Sequence, residues 1–292
     1  MVKSHKSRDL SLVLAALLLA VGAWAGPQEA KLPPNATDLV RQAMQHELKP
    51  PENQGEYFAW RTRTVKPNRT TLKQYVETPE GLLARVLTVN DKPLSPEDRA
   101  KEDARNNRLL DPKQMQQKHK EQQEDETRTK RMVAALPDAF IYQYVGTEEK
   151  NGHTMANLKF TPNPDFKPPT RESLVFQGME GTMTIDATAM HLAKIDGTMV
   201  KDVSIGWGII GHLDKGGHFV VEQKEIDKDN WQITTMRLDF SGKALIFKSI
   251  RIDETDISTD FRKVPSMTVG QALEFLKKTD QNGALAAKEN FK

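Results

Sequence analysis

The sequence predicts a mainly β (α+β) fold: one long, curved antiparallel sheet of about ten or eleven strands with few connecting helices. Strand-like apolar runs recur roughly every 10 to 13 residues from Met179 onward, which is typical of an antiparallel meander. Asn151-Gly152 is the residue pair that best fits a two-residue hairpin turn. This pattern predicts a single β domain over residues 26–292.

Residues 1–25 have the pattern of a secretory signal peptide. Three basic residues precede the apolar run Leu10–Val21, and Ala23 and Ala25 supply the small residues of a cleavage site after Ala25. The apolar run is shorter than the ~20 residues that a membrane span requires. We therefore expect an exported, periplasmic protein without a transmembrane span after cleavage.

Cleavage changes the charge of the chain. The signal segment carries three basic residues and one acidic residue, so the mature chain has 39 of each and a formal net charge of zero. Proteins that bind nucleic acid normally present a basic surface, so we expect no nucleic-acid partner. The chain has no cysteine, which excludes disulfides, thiolate nucleophiles and a lipid-modified N-terminal cysteine.

Local signals predict a helix near each end of the chain. In the segment 35–48 five apolar residues fall on one helical stripe, and Thr37 is the expected cap. The sequence Thr-Val-Gly-Gln from Thr268 matches a capping box at the start of a C-terminal helix over 268–278. Strand-like runs on both sides of Pro79–Gly81 predict a hairpin.

Residues 95–136 are predicted to form a charged helical insertion. Nineteen of the 35 residues from Glu97 to Arg131 are charged. Ser95 followed by Pro96 is a strong helix start, and Asp111-Pro112 predicts a break. Because large apolar residues are so few, we expect a solvated hairpin or arm that projects from the body. Alternatively, residues 97–131 bind an envelope protein partner.

The segment GHLDKGGHF, residues 211–219, brings two histidines, an aspartate and a lysine together. It lacks the Lys-Ser/Thr pair of a phosphate loop, and no helix follows it. We expect a hairpin in which Asp214 pairs with His218, which would place His212, Asp214 and His218 on one polar face. These three side chains are a candidate metal cluster, although a solvated strand end fits better and we expect no cofactor.

Several later strands carry apolar residues on both faces. In WQITTMRLDF, strict alternation places Trp231 and Ile233 on one face and Met236, Leu238 and Phe240 on the other. An ordinary two-sided core explains this pattern, and so does an incompletely filled apolar cavity that takes a lipid chain. The residues expected to line such a cavity are Trp207, Ile209, Phe219, Val221, Met236, Leu238 and Phe240.

No recognised catalytic motif is present. His46-Glu47 is not followed by a histidine at the metalloprotease spacing, and Gly-x-Ser-x-Gly does not occur. The acidic run over 253–260 could supply paired carboxylates, but an exposed strand end accounts for it better. The sequence therefore favours a protein that is not an enzyme. The alternative is a hydrolase that uses the acidic run or the His212 cluster.

The order of elements and one short motif resemble a known family. Gly181 to Asp196 reads G-x-M-x-I-D-x-x-x-x-x-L-x-K-I-D, which is similar to a strand-turn-strand of the periplasmic outer-membrane lipoprotein carrier superfamily, including related envelope-stress regulators. By element order the resemblance covers residues 36–263. It implies an unclosed antiparallel β-barrel whose helices form a lid over a hydrophobic cavity. The insertion at 95–136 is larger than a simple lid, and no functional arginine matches.

We therefore expect a non-catalytic periplasmic protein that binds or carries a lipid or acyl-bearing ligand in an apolar cavity of a half-barrel. Burial of a 12-carbon chain at ~0.8 kcal/mol per methylene would contribute about 10 kcal/mol before ordering costs. A lipid or a lipidated protein is the expected partner. The alternative is a periplasmic interaction or sensor protein that acts through its charged arm.

Overall fold

The computed structural model describes residues 32–50, 55–205, 211–228, 230–244 and 248–283. The predicted signal peptide, residues 1–25, lies outside these ranges, and so do the candidate cavity residues Trp207 and Ile209. None of the helices within the ranges combines the length and the apolar character that a membrane crossing requires.

The described part of the chain contains α-helices, short 3-10 helices and strands. The α-helices are α1 (Ala36–Glu47), α2 (Pro96–Asn107), α3 (Pro112–Ala139) and α4 (Val269–Gly283). The 3-10 helices are Arg108–Leu110 and Glu172–Gly178. The strands are β1 (Tyr57–Lys66), β2 (Arg69–Thr78), β3 (Gly81–Val89), β4 (Lys92–Pro93), β5 (Phe140–Lys150), β6 (His153–Pro162), β7 (Met179–Asp186), β8 (His191–Met199), β9 (Val203–Ile205), β10 (Gly211–Leu213), β11 (His218–Asp227), β12 (Asn230–Ala244) and β13 (Lys248–Val264).

The strands form one antiparallel sheet. Its order is β4-β3-β2-β1-β13-β12-β11-β8-β7-β6-β5, with β10 attached to β12 and β9 to β10. Strands β4 and β5 end the sheet and do not pair with each other, so the described sheet does not close. The predicted antiparallel sheet and unclosed barrel are confirmed. The described sheet has 13 strands, more than the predicted ten or eleven. The difference arises because β4, β9 and β10 have only two or three residues, which is too short for a periodic pattern to reveal them.

The local signals at turns and helix ends are largely confirmed. Asn151 and Gly152 both have positive φ in the β5–β6 turn. The capping box of α4 forms, since the Thr268 N–H donates to the Gln271 Oε1 at 3.0 Å. The predicted cap of α1 is wrong: the Oδ1 of Asn35 accepts the N–H of Thr37 at 2.9 Å. An Asn side chain at this position reaches a free amide two residues further on.

Two apolar clusters hold the helices against the sheet. The larger one joins the stripe of α1, which includes Leu39 and Met44, to the end of α3 and to β5 through β8. The smaller one packs Leu273 and Leu276 of α4 against the first strands. It also contains Met115, from the start of α3. The charged insertion therefore contributes to both clusters.

Helix α2 packs on the sheet through charged residues. Arg85 of β3, only 2% exposed, contacts Asp280 of α4 at 2.9 Å and Asp103 of α2 at 2.6 Å. Glu102 of α2 is buried and accepts the N–H of Val86 at 2.8 Å. Charge-assisted hydrogen bonds thus take the place that an apolar stripe occupies in an ordinary surface helix.

Acid is expected to weaken the docking of α2. Burial acts to raise the pKa of Glu102, but bonds from the Arg105 guanidinium and the Val86 N–H outweigh it and hold that pKa below its ordinary value of 4.5. A carboxyl group with a depressed folded-state pKa stabilises the fold above the unfolded pKa, and this contribution disappears as the pH falls through the folded value. The Tm difference between wild type and Glu102→Gln should therefore be present at pH 7 and shrink below about pH 4.5.

Thermal denaturation of both proteins over this pH range checks the prediction. The matched control is Glu97→Gln, because Glu97 is exposed and its ion pair among the described residues is with Lys101, one turn away. A Tm difference for Glu102→Gln that stays constant with pH would contradict the proposed role of its carboxylate.

Helix α3 is anchored at both ends and at one point between them. Met115 near its start and Leu136 near its end are both buried, and its 28 residues span about 42 Å. Between these anchors, the Gln122 amide donates to the Leu82 carbonyl at 2.9 Å, and its Oε1 accepts the Leu82 N–H at 3.1 Å. The prediction that 95–136 projects from the body is wrong, because a few spaced anchors and polar contacts dock it.

The segment 211–219 is not a hairpin. Strands β10 and β11 both pair with β12, so that Leu213 lies opposite Gly242 and His218 lies opposite Asp239. The chain therefore continues in one direction, with residues 214–217 as a bulged loop. The predicted pairing of Asp214 with His218 is wrong, because the glycines serve a bulge rather than a reversal of the chain.

The bulged loop is held by the neighbouring strand β8. The Gly216 N–H donates to the Met199 carbonyl at 2.7 Å, and the Met199 N–H donates to the Gly217 carbonyl at 2.7 Å. On the other side, a Cβ at Gly242 would collide with the His212 carbonyl oxygen. Glycine at position 242 thus lets the backbones of β10 and β12 approach each other. Residues 241–243 therefore continue β12 and do not form a turn.

Candidate functional site

A cleft of about 830 Å³ lies at one end of the sheet. Residues from the starts of β1, β3, β8 and β12 and from the end of β2 line it, and antiparallel pairing brings these strand ends to a common edge. The C-terminal end of α1 forms one side, and the middle of α3 contributes residues between His119 and Glu126. The volume lies within the usual range of small-molecule sites, roughly 300–1,000 Å³.

Three rings in contact with one another form one wall of the cleft. His191 of β8 stacks on Trp231 of β12 with ring centres 4.9 Å apart, and the edge of His46 of α1 meets it at 4.6 Å. Glu47 fixes this arrangement, because its Oε1 lies 3.0 Å from the His191 Nδ1 and accepts the Leu192 N–H at 2.9 Å. The wall is therefore ordered before any ligand arrives, which reduces the entropic cost of binding.

A β-bulge turns Trp231 into the cleft. Residues 222 and 223 are adjacent on β11, but their partners on β12 are Thr235 and Ile233, so β12 contains one extra residue, Thr234. Such an extra residue reverses the alternation of side chains beyond it. The predicted separation of Trp231 and Ile233 from the inward face is therefore wrong, since strict alternation does not hold across Thr234.

Helix α3 covers the cleft near the turn between β2 and β3. Gly81 in this turn has a φ of 129°, and a Cβ there would collide with the side chain of Gln122. Glycine at position 81 therefore both forms the turn and lets α3 lie close to the sheet. His119, one turn before Gln122, also faces Gly81. The charged insertion thus forms the roof of the cleft.

The lining of the cleft is rich in acidic groups. Lys49, exposed at the rim, is the only lysine or arginine among the described lining residues, whereas carboxylates are several. Most of these have a basic neighbour within 4 Å; the pairs are Glu47 with His191, Glu56 with Lys263, Asp125 with Arg128, and Glu126 with Lys130.

Glu77 differs from the other lining carboxylates. In the described part of the chain no charged side chain forms an ion pair with it, and its Oε2 accepts the Phe58 N–H at 2.8 Å. Burial raises the pKa of Glu77 above its ordinary value of 4.5, and the bond from Phe58 offsets only part of this effect. Its strand partner is Leu82, which α3 holds through Gln122, so Glu77 lies beneath the roof.

The described residues of the predicted apolar cavity lie deeper in the sheet than the cleft. Phe240 belongs to the larger cluster, and Phe219, Val221 and Leu238 pack against it. Met236 pairs with Val221 and shares its face of the sheet. None of these five lines the cleft; Phe240 is buried, and the other four are partly buried. Their role in ligand binding stays a prediction.

The predicted metal cluster is divided between two places. The His212 Nε2 lies 3.0 Å from the Asp214 Oδ1 and 4.0 Å from an oxygen of Asp202, whereas the His218 Nε2 lies 2.8 Å from the Asp196 Oδ1. Grouping His218 with the other two is wrong, because it depended on the hairpin. Asp202, His212 and Asp214 come together at the surface, and nothing else points to a bound ion there.

The polar side chains of the cleft are largely engaged with other groups of the protein. Its described lining contains no serine, and the hydroxyl of Thr78 donates to the Gly81 carbonyl at 2.7 Å. His191 lies between two rings, and its Nδ1 lies 3.0 Å from the Glu47 Oε1. The acidic run over 253–260 lies within β13 and does not line the cleft.

Sequence reasoning missed the three side chains that characterise this site. Glu77, His191 and Trp231 are separated by many residues along the chain, and none belongs to a recognised motif. Their shared property is position, since each lies within about two residues of a turn at the same edge of the sheet. A search for polar and aromatic residues beside those turns could have found them.

No protein-family model matches the sequence, and no curated protein is significantly similar to it. Three solved structures resemble the chain distantly. A DUF1329 family protein from Desulfovibrio piger is 12% identical, with a TM-score of 0.27, over 80% of this chain and 93% of that one. A LolA superfamily protein from Nitrosomonas europaea is 9% identical, with a TM-score of 0.29, over 79% and 95%.

The third structure is an outer membrane lipoprotein-sorting protein domain from Vibrio parahaemolyticus. It is 10% identical, with a TM-score of 0.26, over 80% of this chain and 97% of that one. By description, the second and third are of the lipoprotein-carrier kind that the sequence motif resembles. Superpositions with TM-scores below 0.3 support no statement about function, which is therefore inferred from the cleft itself.

Proposed function

We propose that the protein is an exported, non-catalytic periplasmic binding protein whose cleft takes an acyl-bearing amphiphile. The cleft itself supports this most directly: it joins a preordered aromatic wall to a polar rim beneath a helical roof. Apolar surface that could bury an alkyl chain comes from Phe58, Leu82 and Trp231. The carboxylates and amides around it suit the polar end of the same molecule.

The site differs from the apolar cavity that the sequence predicts. Phe240 belongs to the larger cluster and Phe219, Val221 and Leu238 pack against it, whereas residues at the strand ends line the cleft. A mixed lining favours an amphiphile over a wholly apolar lipid, because buried polar groups without a partner oppose binding. An envelope protein partner that contacts residues 97–131 stays a prediction. Helix α3 has many exposed residues besides those that line the cleft, so a partner could still contact it.

A neutral alkyl probe tests the proposal. Dodecyldimethylamine N-oxide, which has a compact head group and no net charge at pH 7.5, is titrated into the purified protein by calorimetry below its critical micelle concentration. We expect saturable binding at one site. Trp231→Ala should weaken it at least about tenfold, because the alkyl chain loses an aromatic wall.

Trp60→Ala is the matched control. Trp60 also stacks on aromatic rings, with Tyr75 at 5.4 Å and Phe261 at 5.9 Å, but it does not line the cleft. Its removal should leave the affinity within about twofold of wild type. Absence of saturable binding, or equal loss in both variants, would contradict the proposed site.

A further inference from the structure

Among the described lining carboxylates of the cleft, Glu77 is the one with no basic side chain beside it. Glu77 is half-buried, lies under the roof formed by α3, and has a single described hydrogen-bond donor, the backbone N–H of Phe58. A carboxylate has room for about four hydrogen bonds. A partly desolvated anion with spare acceptor capacity, in a site built to receive a ligand, matches a ligand that brings its own positive charge.

The surroundings of Glu77 are also negatively charged. Among the described lining residues five are acidic and one, the exposed Lys49, is a lysine. Three of the five pair with a lysine or arginine, and Glu47 contacts His191. Helix α1 ends at Glu47 beside the cleft, so the negative end of its dipole lies there. The histidines 46, 119 and 191 add positive charge only when protonated.

An aromatic ring in the cleft suits a cation as well as an alkyl chain. Trp231 and Tyr57 both line the cleft, and the face of an aromatic ring attracts an ammonium group within about 6 Å. One molecule that combines an alkyl chain with an ammonium head would therefore use both the apolar and the acidic parts of the lining. An anionic head group would face Glu77 without compensation.

We infer that the cleft selects amphiphiles with a positively charged, amine-bearing polar end, and that Glu77 is the residue that determines this selectivity. The inference rests on the proposed function and narrows its ligand class. The expected order of affinity is dodecylammonium first, the neutral N-oxide second and dodecyl sulfate last. We expect at least about fivefold between successive probes, which is of the size of one charge-assisted contact in a partly solvated site.

Two carboxamide substitutions distinguish a specific effect of the Glu77 carboxylate from an effect of the overall negative charge of the lining. Glu77→Gln keeps an oxygen for the Phe58 N–H, so its Tm should stay close to that of wild type. Its affinity for dodecylammonium should fall about five- to tenfold. Glu126→Gln removes a lining carboxylate that Lys130 already neutralises at 2.6 Å, and dodecylammonium affinity should change by less than about twofold.

The outcomes distinguish this inference from the proposal on which it rests. If the neutral probe binds and requires Trp231, but the three head groups bind equally, the site is real and its charge selectivity is refuted. If Glu77→Gln and Glu126→Gln weaken dodecylammonium binding equally, selectivity comes from overall charge and the assignment to Glu77 is wrong. If no probe binds wild type, the proposed function fails first.

Discussion

Arg85→Ala is expected to lower the free energy of unfolding by about 3–5 kcal/mol, because the buried Asp280 carboxylate then keeps, among the described residues, only the longer contact with Arg99 at 3.6 Å. The Arg85 side chain is 3% exposed and the Asp280 side chain 1%. Nε and one terminal nitrogen of the guanidinium both donate to Asp280, at 3.1 and 2.9 Å. The arginine also contacts Asp103 on α2, so one substitution should loosen both α2 and α4.

Urea denaturation of matched variants checks this prediction. Arg41→Ala removes an ion pair with Asp138 whose side chains are 45% and 65% exposed, and its expected cost is only about 0–1 kcal/mol. Arg85→Met combined with Asp280→Leu removes both buried charges and should recover much of the loss. Equal costs for Arg85→Ala and Arg41→Ala would show that the buried arginine does not organise the helices.

Ala189→Trp is expected to abolish binding of the neutral dodecyl probe, with affinity reduced at least about 50-fold. Ala189 lies in the turn before β8 and lines the cleft, so an indole there would occupy the space that the ligand needs. The residue is only half-buried and lies outside both apolar clusters. The Tm should therefore change by no more than a few degrees.

Calorimetry with the dodecyl probe and thermal denaturation measure the two quantities. Thr182→Trp adds the same side chain at an exposed position on β7, away from the cleft, and should bind the probe like wild type. Full affinity in Ala189→Trp would place the ligand elsewhere, with the core-packed residues around Phe219 as the next candidates.

Features that depend on a few neighbouring residues could be predicted from the sequence. The hairpin turn at Asn151-Gly152, the start of α2 at Ser95 and the capping box of α4 all involve bonds within four residues. The antiparallel sheet follows from the same kind of information, repeated along the chain. Local chemistry therefore predicted most of the architecture.

Features that depend on register and distant contacts could not be predicted in this way. The bulge at Thr234 is a property of how β11 and β12 pair, and nothing in the sequence of β12 alone marks it. The docking of α2 depends on Arg85 and Asp280, 195 positions apart. Composition alone suggested a projecting arm, because it does not show which charges meet a buried partner.

The candidate site was missed for the same reason. Glu77, His191 and Trp231 come together only when β2, β8 and β12 reach the same edge of the sheet. The sequence did predict a ligand in a half-barrel roofed by helices, but strict alternation assigned it to the middle of the strands. The cleft lies instead at the strand ends, and the bulge at Thr234 turns Trp231 toward it.

Native mass spectrometry of the protein, isolated without detergent from the cells that make it, tests the proposed binding function most directly. We expect a discrete added mass on the wild-type protein that organic extraction removes and that proves to be an amine-bearing amphiphile. Ala189→Trp, isolated in the same way, should carry no such mass. A bare chain for the wild type, or an equal added mass on the variant, would contradict the proposal that this cleft holds the ligand.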